Sequence, residues 1–443
     1  MLSTSSFYFI VDVWDGAEEP VITHGMTLVK PIYLKDVAKA IDRYAFCVSE
    51  FPVILSLENH CSKAQQSLMC KIFHETFNDK LLTFPSGAPF DVFPSPRELK
   101  NKILIKAKIS SHPKGAILRS MDQTDEGRED EIYDTEESEE ENNSTSNCSP
   151  AQNIGSFVTR ITVSDAKKEE PKVRVIPDLS EIIAMPNVKV KSIKSDARTL
   201  PFNGFAAFSE KKLDELRSEE SLLDILAFTK KHFVKSYPSG LRIMSSNYDP
   251  VKCWNLGVQA VSLNAQTADD ATDLNDAMFV DNGNCGYVLK PDLLIEDDVN
   301  IFRNDVTTLK IKIISGHYLP KPTTNPPIVN DIVDPFVTVQ IYGFYSDSQK
   351  YKTKKIDNNG FNPYWNETCQ FKLKYPELAF VRFLVEDYDI ASSNDFVGEF
   401  SLPVRLLKQG YGHVRLRTGS RHHKDPTAVL FVHIEIVESP ISV

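Results

Sequence analysis

The 443-residue chain has no apolar run approaching the ~18 residues that a bilayer span requires. Met1 is not followed by a basic and then apolar leader, so the expectation is a cytoplasmic protein. The seven cysteines, Cys47, Cys61, Cys70, Cys148, Cys253, Cys285 and Cys369, contain no CxxC spacing. An odd, scattered set without a leader favours reduced thiols over a disulfide framework or a zinc site. A basic surplus is also missing: 50 Lys and Arg stand against 61 Asp and Glu, a net charge of −11, which speaks against a nucleic-acid binder. No GxSxG string occurs, which removes the nucleophile elbow of an α/β hydrolase.

The acidic excess is local. Between Asp122 and Glu141 stand twelve acids and one base, Arg128, so this stretch alone carries −11 and the remainder balances at 49 acids and 49 bases. From about Ser111 to Gln152 acids, Ser, Asn and Thr replace the apolar pattern, as expected of a disordered linker. Before it, strand-like and helical runs alternate in the manner of parallel βαβ units. Leu34, Val37, Ile41 and Tyr44 share a helical face; FPVILSLENH is too continuously apolar for a half-exposed strand; Ser62 is placed to cap a helix carrying Leu68, Met69, Ile72 and Phe73; KILIKAK is the next strand. The polar end Glu58-Asn59-His60 is where a barrel strand presents chemistry. FAAFSE, SLLDILAFTKKHFV and KSYPSGLR continue the same layer after the linker. Beyond Pro291 the style changes to short alternating strands, LKIKIISG, DPFVTVQIYG, VRFLVEDYD and AVLFVHIEIVE, the pattern of a β-sandwich.

The strings VDVWDGAEEPVITHGMTL, PVILSLENHCS and KILIKAK, followed by FSE, SYPSGLR, SSNYDPVKCWNLGVQAVSLNAQT and DNGNCGYVLKP, resemble the X and Y halves of the catalytic barrel of the phosphoinositide-specific phospholipases C. VDPFVTVQIYG, NNGFNPYWNE, VEDYD and NDFVGEF resemble the calcium-dependent C2 sandwich that follows that barrel. The resemblance, delta-like in its layout, implies an α/β plus all-β chain: an X half at 1–110, an acidic X–Y linker at 111–199, a Y half at 200–295 and a C2 domain at 305–440. The implied activity is calcium-dependent hydrolysis of phosphatidylinositol 4,5-bisphosphate to diacylglycerol and inositol trisphosphate. Its setting is intracellular signalling at an anionic membrane surface to which the protein binds peripherally.

By the same resemblance His24 is a catalytic histidine, suited to acid and charge-stabilising work because its pKa lies near working pH. Asp12 and Glu58 are ligands of a catalytic calcium, hard oxygens for a hard ion. Lys106 and Lys108 pair with ring phosphates, Tyr237 stacks on the inositol ring, and Lys235 stands where an arginine is usual. Ala207 replaces a phosphate-binding serine, with loss of a hydroxyl donor. In the sandwich Asp334, Asn358, Asp387, Asp389 and Asp395 match calcium ligands, with Asp331 a further candidate. The acidic linker is expected to lie over the mouth and to be repelled by an anionic membrane.

One departure is large. The family's barrel has, before WDG, a strand with the first catalytic histidine and an adjacent asparagine ligand, and a glutamate two residues before the position of Asp12. No Ser-His-Asn string occurs in this sequence, and that glutamate position is Ile10. The expectation is an incomplete barrel of seven strands, either a truncated form of an active enzyme or a noncatalytic calcium-dependent phospholipid-binding or scaffold protein that works through the C2 domain.

Overall fold

A computed structural model describes residues 8–23, 30–84, 93–109, 175–242, 244–296, 305–321, 332–389, 393–419 and 423–439. His24, Asp331 and the acidic run 122–141 lie outside the described residues. The first unit enters on β1 (Tyr8–Trp14) and passes through the two-residue strands β2 (Val21–Ile22) and β3 (Ile32–Tyr33). It continues as α1 (Leu34–Tyr44), β4 (Val53–Asn59), α2 (Lys63–Phe77) and β5 (Ile103–Ala107). Next come α3 (Pro177–Ile182), β6 (Ile183–Val188), α4 (Ile193–Asp196), β7 (Phe205–Ser209), α5 (Glu210–Glu215), α6 (Glu219–Lys231), β8 (Phe233–Tyr237), α7 (Pro250–Trp254), β9 (Ala260–Val261) and α8 (Asp270–Val280).

β1, β4, β5, β6, β7, β8 and β9 are hydrogen-bonded in that order, every neighbouring pair parallel. They are the seven expected staves of a TIM-type barrel, and among the described residues β9 does not pair with β1. β6 corrects one boundary. It lies inside the stretch 111–199 assigned to the linker, yet it bonds β5 on one side and β7 on the other. Its apolar run is only Ile183–Met185 before Pro186, and a proline demotes such a run in pattern reading.

Strand alternation sorts the side chains into two layers. Val11, Val13, Val53, Leu55, Leu57, Ile103, Ile105 and Ala107 point outward and pack on α1 and α2 residues such as Ala38, Ile41, Met69 and Phe73. Ala206, Phe208 and Val234 do the same against Leu222, Ile225 and Phe228 of α6. The opposite face of each strand lines the barrel interior. Its floor is Leu104, Met185 and Phe205 with Tyr8, Ile54 and Phe233 packed against them, closed by Phe84 and Phe93. At roughly 1.5–3 kcal/mol per fully buried aliphatic or aromatic side chain, these layers make the strand faces non-interchangeable.

The second unit has eight strands, each pair of neighbours antiparallel. They are β10 (Val306–His317), β11 (Pro335–Tyr342), β12 (Gln349–Lys352), β13 (Tyr364–Leu373), β14 (Phe380–Asp387), β15 (Asp395–Pro403), β16 (Gly410–Thr418) and β17 (His423–Ser439). Among the described residues the order β12-β11-β14-β15 joins β16-β17-β10-β13 only through Gly398↔Thr418 and Glu399↔Arg417, so two four-stranded layers face each other as a sandwich. Leu309, Ile311, Val337, Val339, Phe383, Leu430, Val432 and Ile434 fill its core.

The two units meet along α8. Trp254 packs on Phe380 with ring centroids 5.5 Å apart, and Tyr342 Oη donates to Asp270 at 2.8 Å. Arg382, 1% exposed, reaches Asp273 at 3.1 Å and Asp270 at 3.0 Å, while Arg417 reaches Asp276 at 2.6 Å and pairs with Glu399.

Candidate active site

Above the apolar floor the inward positions turn polar, all toward the C-terminal ends of the strands, where barrel chemistry is housed. Parallel pairing sets Asp12 directly beside Glu58 and Ser56 beside Lys106. Farther round, Ala207 pairs with Lys235 and Ser209 with Tyr237. Because floor residue Leu104 and Lys106 share a face of β5, as do Phe233 and Lys235 of β8, both ammonium groups enter the barrel from its wall. Lys106 and Lys235 are 1% and 2% exposed, a burial that lysine avoids unless a site requires it. Lys106 Nζ is 3.4 Å from Ser56 Oγ and 5.2 Å from the Phe205 ring centroid; Lys235 Nζ is 5.9 Å from that of Tyr237.

Asp12, Glu58 and His60 bring ligating atoms within 4.8 Å of one another. Among the described residues this is the one place where three such side chains converge. Asp12 Oδ1 accepts from Trp14 Nε1 at 2.8 Å and lies 3.2 Å from His60 Nε2, and the indole and imidazole stack at 4.0 Å, 8° from parallel. His60 N–H donates to the Val13 carbonyl at 2.9 Å, so the ladder between β1 and β4 carries on one residue past β4 and fixes the imidazole over Asp12.

The loops behind this cluster interlock. Asp15 Oδ1 accepts from both the backbone N–H and the hydroxyl of Ser62, at 2.9 and 3.1 Å. Ser62 is indeed the residue before α2, but its side chain makes no cap bond to the helix, because Asp15 engages it instead. Gln65 exchanges two bonds with the Gly16 backbone. A Cβ at Gly16 would lie 2.1 Å from the Glu19 carbonyl, so the Trp-Asp-Gly turn admits no side chain there.

The predicted residues fare unequally. Asp12, Glu58, Lys106, Lys235 and Tyr237 occupy one face of one sheet. Lys108 lies one residue beyond β5 and is exposed, so it stands at the rim and not beside Lys106 in the interior. Ile10, on the same face of β1 as Asp12, is 49% exposed at the sheet edge. His60 and Trp14 are members that motif matching left out; the polar run Glu58-Asn59-His60 was the available signal. The loop after β8 leaves from the C-terminal end of the strand that carries Lys235 and Tyr237. Glu210 binds Arg242 through both carboxylate oxygens, at 2.6 and 2.7 Å, and also accepts from Ser239 N. The loop projects Leu241 and Met244, 87% and 89% exposed.

At the loop end of the sandwich the acids come together less tightly. Asp387 lies across from Asp395 at the paired ends of β14 and β15. Asp387 Oδ1 accepts from Asp334 N at 2.7 Å, and Asp334 Oδ1 from Asn358 N at 2.6 Å. Asn358 therefore contributes its backbone, held at φ 50°, while its residue is exposed; Asp389 N bonds Asn394 Oδ1 at 3.3 Å. No three of these acids converge as Asp12, Glu58 and His60 do among the described residues.

Comparison with known proteins agrees with this geometry. Residues 8–109 match the model of the phosphatidylinositol-specific phospholipase C X domain, 179–293 that of the Y domain and 307–418 that of the C2 domain. The chain is 36% identical to the 1-phosphatidylinositol 4,5-bisphosphate phosphodiesterase delta-3-A of Danio rerio over 98% of this chain and 53% of that protein. It is 38% identical to the human delta-1 phosphodiesterase over 96% and 55%, and 35% identical to the zeta-1 phosphodiesterase of Rattus norvegicus over 96% and 67%. The crystal structure of S. officinalis PLC21 superposes with a TM-score of 0.76 at 29% identity, covering 100% of this chain and 52% of that one. The chain thus spans about half the length of most of these relatives. With both barrel halves and the sandwich matched in order, the chain belongs to the phosphoinositide-specific phospholipase C family.

Proposed function

We propose that this chain carries the calcium-dependent phosphodiester-cleaving centre of a phosphoinositide phospholipase C, acting on phosphatidylinositol 4,5-bisphosphate to give diacylglycerol and inositol trisphosphate. The observation that carries the reading is the convergence of Asp12, Glu58 and His60 on the same sheet face as the buried Lys106 and Lys235. Two carboxylates from adjacent strands, held in register, fit one side of a hard divalent cation that takes roughly six to eight oxygens. Asp12 and Glu58 would hold that calcium ion, which when bound supplies positive charge for the negative charge developing on the reacting oxygens.

The remaining steps belong to side chains. Lys106 and Lys235 meet the anionic phosphates of the inositol ring from the barrel wall, with Lys108 at the rim. Tyr237 offers its ring as a platform for the sugar. His60 and Trp14 orient Asp12 through its Oδ1, so a carboxylate oxygen faces the mouth in one fixed direction. His24, which follows β2 by two residues in the sequence, is assigned the proton donation to the departing alkoxide.

The domain division follows the motifs: barrel halves on either side of an acidic linker, then the C2 sandwich. Peripheral docking on an anionic bilayer is supported by the exposed Leu241 and Met244 near the mouth and by the sandwich acids. Among the described residues no helix is long and apolar enough to cross a membrane. The test is hydrolysis of phosphatidylinositol 4,5-bisphosphate in mixed vesicles, with calcium and with chelator, for the chain and for Glu58→Gln. With Ile10 at the glutamate position and no Ser-His-Asn string, turnover far below that of a complete family site is expected, and what calcium-dependent turnover there is should be abolished by Glu58→Gln. Calcium-dependent vesicle binding without turnover would move the function to lipid binding by the sandwich alone.

A further inference from the structure

We infer that the Lys355 ammonium is an exchangeable counter-ion at the acidic end of the sandwich: it neutralises Asp334 until an anionic lipid surface draws it away and frees that carboxylate for a divalent cation. The inference rests on the reading of the sandwich acids as calcium ligands and adds the element that regulates them. Lys355 Nζ lies 3.6 Å from Asp334 Oδ2, is bonded to Asp357, and stands 5.1 Å from the centroid of the Tyr388 ring. One side chain thereby spans the loop before β11, its own loop and the loop after β14. Lys352 Nζ lies 5.9 Å from the same ring centroid.

Acids gathered at one end of a sandwich repel one another unless a cation offsets them. Asp387 and Asp395 face each other across paired strands, where like charges repel. Asp387 is 6% exposed, and one of its oxygens is committed to the Asp334 backbone. Asp334 thus meets Asp387 through its backbone, while its own carboxylate turns Oδ1 to Asn358 N and Oδ2 to Lys355. Lysine suits an exchangeable role: it is a compact, strongly hydrated point charge on a flexible stem, without the fork that locks a guanidinium onto a carboxylate. Its side chain is 37% exposed, so the pair with Asp334 is weak, and the pull of an anionic bilayer on a single lysine is of the same order. Calcium and lipid then cooperate, because lipid phosphate removes the competitor for the calcium ligand.

The test is calcium titration calorimetry of the full chain and of Lys355→Gln, with and without phosphatidylcholine vesicles containing phosphatidylserine, using Asp387→Asn to identify the sandwich's share of the heat. Lys355→Gln is expected to tighten calcium binding in lipid-free solution by about fivefold, as loss of one nearby positive charge implies. The tightening that phosphatidylserine brings should shrink by the same factor. Lys354→Gln removes an equal charge from the adjacent residue and should do neither. Equal effects of the two substitutions, or an undiminished gain from phosphatidylserine in Lys355→Gln, would overturn the inference. If Asp387→Asn removes no calcium heat from the wild-type chain, the calcium reading of the sandwich fails first and this inference with it.

Discussion

Two regions of this molecule set acids against bases, and they do so in opposite ways. At the seam between barrel and sandwich, the buried Arg382 and Arg417 bind the buried Asp273 and Glu399, 2% and 0% exposed, and reach outward to the half-exposed Asp270 and Asp276. At the loop end of the sandwich, Lys355 meets Asp334 and Asp357 in water. The seam uses the guanidinium fork, always charged and able to serve several carboxylates at once, and its members have no cheap alternative partner. The loop end uses a single ammonium that solvent or a phosphate can replace. Charge at the seam fixes one arrangement of the two units; charge at the loop end can be exchanged.

The sharpest way to break this contrast is to remove one seam arginine. Arg382→Ala takes the 3.1 Å partner from the buried Asp273, leaving Arg417 alone to serve Asp273 at 3.7 Å and Glu399, and truncation of a buried pair costs about 3–5 kcal/mol. Because the residues span both units, a single cooperative unfolding transition should shift to lower denaturant. Two separated transitions in Arg382→Ala, with the sandwich melting unchanged, would show that the seam does not couple the units. Arg417→Lys should cost less, about 1.5–3 kcal/mol, since it keeps the charge but cannot bond Asp276, Glu399 and the Asp273 carbonyl together. Equal stability of Arg417→Lys and wild type in urea would sink the claim that the fork matters.

The Glu210–Arg242 clasp lies between these extremes. Burial pushes the Glu210 carboxyl up, but the Arg242 hydrogen bonds and the Ser239 N–H more than offset it, so its pKa is held below the ordinary carboxylate range. A depressed acid stabilises the fold at pH values above its unfolded pKa, and that contribution disappears as pH falls through the folded value. Glu210→Gln should therefore cost about 1 kcal/mol near neutral pH, once solvent screening is allowed for, and nothing in strong acid. Thermal melts of both proteins across pH would check this; a difference that persists below the carboxylate range would refute it.

How much of this was legible in the sequence differs by region. The barrel staves could be read because their runs are apolar on both faces, and the polar end Glu58-Asn59-His60 marked one strand's chemistry; Asp12 and the barrel lysines were named only through the family resemblance. β6 was hidden by the shortness of its apolar run, Ile183–Met185, and by Pro186. His60 could be seen as a polar strand end, but its place over Asp12 depends on the register of β1 against β4, which no single strand encodes. The seam was invisible for the same reason. Arg382 and Asp273 are 109 residues apart, and nothing local to either distinguishes it from a solvated charge. Lys355 was overlooked because lysines beside loop acids are ordinary, and only the fold shows which carboxylate one of them holds.

The smallest expected effect completes the comparison. Lys355→Gln removes an ion pair whose members remain in water, so the unfolding midpoint in calcium-free buffer should match that of the wild type, in contrast to the seam variants. Its pKa lies above the ordinary lysine value, chiefly through its bond to Asp357, so the charge persists throughout the neutral range and no pH step should appear there. A loss of stability comparable to that of Arg417→Lys would mean that Lys355 holds the loops together as a structural member. An ammonium that the fold depends on cannot also be released to a membrane, so equal stability alongside altered calcium binding is the combination that separates exchangeable charge from fixed charge.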